Sequence, residues 1–107
     1  MSSDLPKLVR DRIPELIEAT GRSATTRTLA PHEMPAALFS KLGEESAELA
    51  AAPAGAQLEE LADVLTVLQA LAAVLGVSWS DVLRAAEIKA SARGSFARRL
   101  LLLDIGS

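Results

Sequence analysis

The feature that most constrains this chain is a stretch without formal charge, Val64 to Ser80, set in the middle of 107 residues. Leu58, Leu61, Leu65, Leu68, Ala72 and Leu75 recur at helical spacing and form one stripe. Glu60, Asp63, Val67, Ala70 and Val74 form a second. A helix that is apolar on most sides must be buried on most sides. Any fold therefore has to place a helix over roughly Gln57 to Leu75 centrally, inside a bundle or at an interface between subunits. The stretch contains Thr66, Gln69, Gly76, Ser78 and Ser80. Its strongly apolar part is shorter than the ~20 residues a membrane span needs, so no membrane role is expected.

The rest of the composition agrees with a helical domain. Half of the residues are hydrophobic, mostly Ala, Leu and Val, with Phe39, Phe96 and Trp79 the only aromatics. Ala and Leu favour helices, and this apolar content argues against disorder. Residues 1–107 read as one domain with a modest core. So much apolar surface on so short a chain suggests that part of it is shared, and a homo-oligomer, dimer or tetramer, is expected. Cysteine is absent, which removes disulfides, zinc–thiolate sites and cysteine nucleophiles. The start, Met1 to Lys7, lacks the apolar run of a signal peptide, and a cytoplasmic setting is expected. The net charge of −3 gives no reason to expect a nucleic-acid polymer as partner. The charges are segregated, however. Lys7, Arg10 and Arg12 lie near the start, Lys89, Arg93, Arg98 and Arg99 near the end, and the acids in the middle.

Turn and cap residues divide the chain. Residues 5–10 read as extended, with Asp11 as the expected N-cap and Pro14 in the first turn of a short helix that stops at Gly21. Pro31 opens a second helix that runs to about Ala52. The third spans Gln57 to Leu75 and ends at Gly76. Ser78 and Asp81 have the spacing of a capping box, and a fourth helix follows to about Ala92, before Gly94. The expected class is all-α, a four-helix-type bundle. The Thr-rich residues 23–29 have strand character, and they could pair with residues 99–105 as a small two-stranded element.

The chemistry sits between the second and third helices. Glu44, Glu45 and Glu48 precede the break at Pro53 and Gly55, and Glu60 and Asp63 follow it. Glu45 and Glu48 are three apart, as are Glu60 and Asp63, so each pair projects from one helical face. An antiparallel helix pair brings the four carboxylates into one volume, where they repel unless a cation joins them. Hard oxygen ligands suit Mg²⁺, Mn²⁺ or Ca²⁺. Acidic pairs at this spacing more often merely solvate an exposed face. Here both pairs adjoin apolar faces, which favours the metal. Other chemistries find little support. His32 follows Pro31 without an obvious partner, no Gly-rich phosphate loop is present, and no serine has an activating context.

These residues resemble a known family. Lys41-Leu42-Gly43-Glu44-Glu45-Ser46-Ala47-Glu48 followed by Glu59-Glu60-Leu61-Ala62-Asp63 is similar to the E-E-x-x-E … E-x-x-D signature of the all-α nucleoside triphosphate pyrophosphohydrolases. Lys7-Leu8-Val9-Arg10-Asp11-Arg12-Ile13-Pro14-Glu15 resembles the opening of a small MazG-like branch, labelled phosphoribosyl-ATP pyrophosphohydrolase-like. The segment from Lys89 to Arg93-Gly94-Ser95-Phe96 resembles that branch's K-x-x-x-R-G-G-F, with Ser95 in place of the second glycine.

The resemblance implies a helical bundle that binds Mg²⁺, with Mn²⁺ as a substitute, and hydrolyses a nucleotide substrate between its α and β phosphates. By motif position Glu45, Glu48, Glu60 and Asp63 are the metal ligands. Glu44 is a spare carboxylate that acts as base or supports the ligands, and Glu45 is assigned to catalysis as well. Lys41, Lys89 and Arg93 are the phosphate contacts, each of which could equally be a helix-surface cation. Another subunit's Lys7, Arg10, Lys89 or Arg93 is expected near the acids. Two alternatives stay open: phosphoribosyl-ATP hydrolysis in histidine biosynthesis, and a bundle that binds nucleotides or proteins without turnover.

Overall fold

The computed structural model describes residues 5–106; the first four residues, part of the start read above for a leader, lie outside it. Four α-helices follow one another: α1 (Ile13–Glu18), α2 (Met34–Ala51), α3 (Gln57–Val74) and α4 (Trp79–Arg93). The class is all-α, with no strand among the described residues. Short 3₁₀ turns at Pro31–Glu33 and Ala54–Ala56 lead into α2 and α3.

Local chemistry accounts for most boundaries. Ahead of α2, the Glu33 carboxylate accepts the Ala30 N–H at 2.8 Å and a two-point fork from Arg27 at 3.0 and 3.1 Å. Arg27 and Ala30 together hold the Glu33 carboxyl below its ordinary range. Pro53 cannot continue a helix, and the chain turns there into α3. The Ser78 hydroxyl accepts the Asp81 N–H at 3.1 Å and so caps α4. Gly76 and Gly94 leave α3 and α4 at φ of +75° and +81°, conformations that glycine adopts without a Cβ penalty. The N-cap of α1 differs from expectation. Arg12 occupies it, with no side-chain cap. The Arg12 Nε instead donates to Glu15 at 2.8 Å, and Asp11 borders the cleft described below.

Packing within the chain is concentrated in α2 and α3, which form an antiparallel hairpin. Its core is Leu38 from α2 against Val67 and Leu71 from α3, flanked by Met34, Leu42 and Ala70. Leu8, from the extended segment before α1, also packs on this core. α1 packs against no other helix. α4 touches α3 alone and departs from it at 110°. No single described helix is long and apolar enough to cross a membrane.

The two-stranded element is not formed. Residues 23–29 and 99–105 lack regular structure. Leu100, Leu101, Leu102, Leu103 and Ile105 are each more than 70% exposed. Both segments carry strand-forming side chains, but neither has a partner whose face could cover it, and a lone two-stranded ribbon is marginal in water.

Candidate metal centre

Glu45 lies on α2 two turns before its end, and Glu60 and Asp63 lie one turn apart at the start of α3. The hairpin therefore gathers them near its closed end. One carboxylate oxygen from each of the three lies within 4.8 Å of the others. Glu45 is buried at 6% exposure. Its Oε2 and the Oε2 of Glu60 are both shut from solvent and have no hydrogen-bond partner. A buried carboxylate oxygen without a partner is costly, and here two converge.

Cations meet these acids only in part. Lys41 Nζ, one turn before Glu45, lies 3.3 Å from Glu45 Oε1 and 3.5 Å from Glu44 Oε2. Arg10 Nη2 donates to Asp63 Oδ1 at 2.7 Å and to Thr66 Oγ1 at 3.3 Å. Glu60 has no ion pair among the described residues. Glu48, one turn beyond Glu45, is exposed and falls outside the closest group. Its carboxyl is nonetheless pushed above its ordinary range. The chief cause is a hydrogen bond shared with Glu45, followed by partial burial and the charges of Glu45, Glu60 and Glu44. Acids this close raise one another's cost of ionisation where too few cations stand among them.

Two clefts adjoin the cluster. The larger, about 480 Å³, is lined by Lys7, Arg10, Lys41, Glu45 and Asp63 at its polar side and by Leu8, Ile13, Met34, Leu38 and Val67 elsewhere. That size and mixture suit a small-molecule site. The second, about 420 Å³, takes Glu44 and Glu48 with Ser40, Lys7 and Lys41. Lys7, Leu8 and Lys41 border both clefts.

Of the residues singled out in the sequence, Glu45, Glu60 and Asp63 converge, with Glu48, Glu44 and Lys41 beside them. Lys89 and Arg93 do not join them within the chain. α3 climbs about 16 Å from Asp63 to its end, and α4 then turns away, with both residues exposed. His32 is exposed on the 3₁₀ turn before α2. The sequence reading missed the chain's own use of its N-terminal cations. Lys7 and Arg10 were expected from another subunit, yet the extended segment before α1 lays them over the chain's own hairpin. The available signal was Leu8, an apolar residue between cations, which anchors the segment in the core. Thr66 was noted only as a polar interruption of α3, and it is a partner of Arg10.

Comparison with known proteins adds three findings. No solved structure matches the chain. A protein of Mycolicibacterium smegmatis (strain ATCC 700084 / mc(2)155), described only as uncharacterized, is 60% identical over 48 residues, which cover 45% of this chain and 49% of that protein. The chain thus matches about half the length of this relative. The model of the phosphoribosyl-ATP pyrophosphohydrolase family matches residues 4–90. That span holds the N-terminal cations and all five acids, and by it the chain belongs to the phosphoribosyl-ATP pyrophosphohydrolase family.

Proposed function

We propose that this chain is a metal-dependent nucleoside triphosphate pyrophosphohydrolase, cleaving the α–β phosphate bond to release a nucleoside monophosphate and pyrophosphate. The observation that carries this reading is the pair of buried, unpartnered oxygens on Glu45 and Glu60, within a three-carboxylate group that includes Asp63. Oxygens that are desolvated and unpartnered lack only a cation. All the donors are carboxylates, which suits Mg²⁺ or Mn²⁺ rather than a thiophilic metal. Glu45, Glu60 and Asp63 would hold the ion, and Glu48, one turn from Glu45, would complete the set.

A bound ion would lower the pKa of water and stabilise charge on phosphoryl oxygens. The remaining work falls to side chains. Glu44 borders the smaller cleft next to Glu48, where it can take a proton from water or orient it. Lys41 lies between the two clefts and can reach a phosphate oxygen in either. The apolar side of the larger cleft excludes water and receives the uncharged part of the substrate.

Assembly is part of the proposal. The chain's radius of gyration is 18.1 Å, against about 13 Å for a compact chain of this length. It exposes 9088 Å², about 3,400 Å² more than a compact monomer of this mass. The stripe Leu58, Leu61, Leu65, Leu68 and Leu75 is left largely exposed on α3. From Leu58 to Leu68 its spacings alternate three and four, as in the seam of a coiled coil, and Leu75 follows one heptad on. A second copy packed on this stripe would cover it, and would be the source of Lys89 and Arg93 for phosphate binding. Val67 and Leu71, by contrast, are consumed by the chain's own core.

The family's description favours one other reading, phosphoribosyl-ATP as substrate. A single experiment tests both. Canonical and modified nucleoside triphosphates and phosphoribosyl-ATP are incubated with the protein and Mg²⁺ or Mn²⁺, and both products are identified by chromatography. Monophosphate with pyrophosphate from a triphosphate supports the first reading, and turnover of phosphoribosyl-ATP alone supports the second. A nucleoside diphosphate as first product, or no metal-dependent turnover of any substrate, refutes both.

A further inference from the structure

Arg10 holds a position that its surface location does not explain. Its Nη2 donates to Asp63 Oδ1 at 2.7 Å, across 53 residues of sequence, and to Thr66 Oγ1 at 3.3 Å. The Thr66 hydroxyl spends its own proton on the Ala62 carbonyl at 2.9 Å, so its lone pairs are left to receive Arg10. The contact with Asp63 is made by one nitrogen on one oxygen, not by the two-point fork that makes arginine–carboxylate pairs strong. Arg27 makes that fork with Glu33. Nε and Nη1 of Arg10 have no hydrogen-bond partner among the described residues. The guanidinium also lines the larger cleft, with Lys7 and Lys41 as its cationic neighbours.

Resting on the nucleotide-hydrolase reading, we propose that Arg10 is an exchangeable ligand of this site. It holds Asp63 while no metal is bound, yields that oxygen to the metal, and turns its guanidinium onto a phosphate oxygen of the substrate in the adjoining cleft. Three observations make the exchange a matter of side-chain rotation. The backbone is pinned on both sides, by Leu8 in the core and by the Arg10 carbonyl, which accepts the Ile13 N–H at 3.1 Å. The Arg10 side chain is 54% exposed, so no packing locks its rotamer. Both ends of the movement border one cleft, so the guanidinium can turn without a change of backbone.

The alternative is that Arg10 simply orients Asp63 for the metal, as outer partners of metal ligands commonly do. The two roles predict opposite signs. Mn²⁺ binding to the nucleotide-free full chain is measured by isothermal titration calorimetry for wild type, Arg10→Gln and Arg10→Lys. Binding of a non-hydrolysable α,β-methylene triphosphate is then measured at saturating Mn²⁺. A competing cation, once removed, leaves Asp63 to the metal. Arg10→Gln should therefore bind Mn²⁺ about 5-fold tighter than wild type, and the triphosphate analogue at least 10-fold more weakly. Arg10→Lys keeps the charge with a single point of contact. It should retain near wild-type Mn²⁺ affinity and lose less analogue affinity than Arg10→Gln, and it serves as the folded control.

Weaker Mn²⁺ binding in Arg10→Gln overturns the exchange and makes Arg10 an orienting partner. Unchanged analogue affinity in Arg10→Gln overturns the phosphate contact. Failure of wild type to bind Mn²⁺ at all refutes the metal-dependent reading itself, an outcome distinct from either.

Discussion

Replacing Glu60 by glutamine should make the metal-free protein more stable, although it removes a residue from the centre of the site. Glu60, Glu45 and Asp63 bring carboxylate oxygens within 4.8 Å of one another. Two unit charges at that separation repel by about 3.5 kcal/mol at an effective dielectric of 20. Glu60 faces two such neighbours. Lys41 offsets the charge of Glu45, and Arg10 that of Asp63, so most of the repulsion on Glu60 is cancelled at longer range. A net relief of about 1–2 kcal/mol remains, within the range for correcting a buried unpaired group. For a domain of this size each kcal/mol moves the melting temperature by roughly 4–8 °C. The assay is thermal unfolding in EDTA and again with excess Mn²⁺, at matched protein concentration because assembly also shifts the midpoint. Glu60→Gln should melt higher than wild type in EDTA and gain much less from Mn²⁺. A lower melting temperature in EDTA would refute the reasoning, because it would mean that the ionised Glu60 is held by favourable contacts.

Glu48→Gln and Asp63→Asn should each abolish metal-dependent hydrolysis while circular dichroism shows the helices intact; wild-type turnover in either would sink the ligand assignment. If a second copy covers the exposed stripe of α3 as proposed, Leu61→Glu or Leu65→Glu should sediment as a monomer where wild type does not, without unfolding of the hairpin. Val67→Glu should unfold it, since Val67 is 7% exposed in the core. Leu38→Ala should cost about 2–5 kcal/mol of stability, read from urea unfolding. The metal-free protein should lose stability as pH rises just above the ordinary carboxylate value of 4.5. The Glu48 carboxyl is raised there, so the folded state holds more protons than the unfolded one and folding weakens as they leave. Glu48→Gln should flatten that slope in a pH series of melting curves.

Much of the fold was legible because it depends on local chemistry. Pro31, Pro53, Gly76, Ser78 and Gly94 mark helix ends by rules that act within a few residues. The convergence of Glu45, Glu60 and Asp63 was legible for a related reason. Acids three apart share a face, and a proline break between two such pairs lets the chain fold back on itself. What failed depended on distance or on partners. Residues 99–105 have strand-like content, but a strand exists only where another completes its ladder. Which side of α3 turns inward was not legible, because its two stripes are almost equally apolar. Only the position of Leu38 decides which one turns inward. Lys7 and Arg10 could be read as cations near an acidic site, but not whose site, since that depends on Leu8 settling into the chain's own hairpin.

The placement of the acids beside the connection between α2 and α3 also sets an order of events during synthesis. Glu45 and Asp63 are joined by a short loop, whose closure costs little entropy, and contacts of such low sequence separation form fast. Lys7 and Arg10 precede them. Every side chain of the larger cleft, from Lys7 to Ala70, is therefore synthesised before α4. The exposed leucines of residues 100–103 come later still, so nothing in that final stretch is needed to shape the pocket.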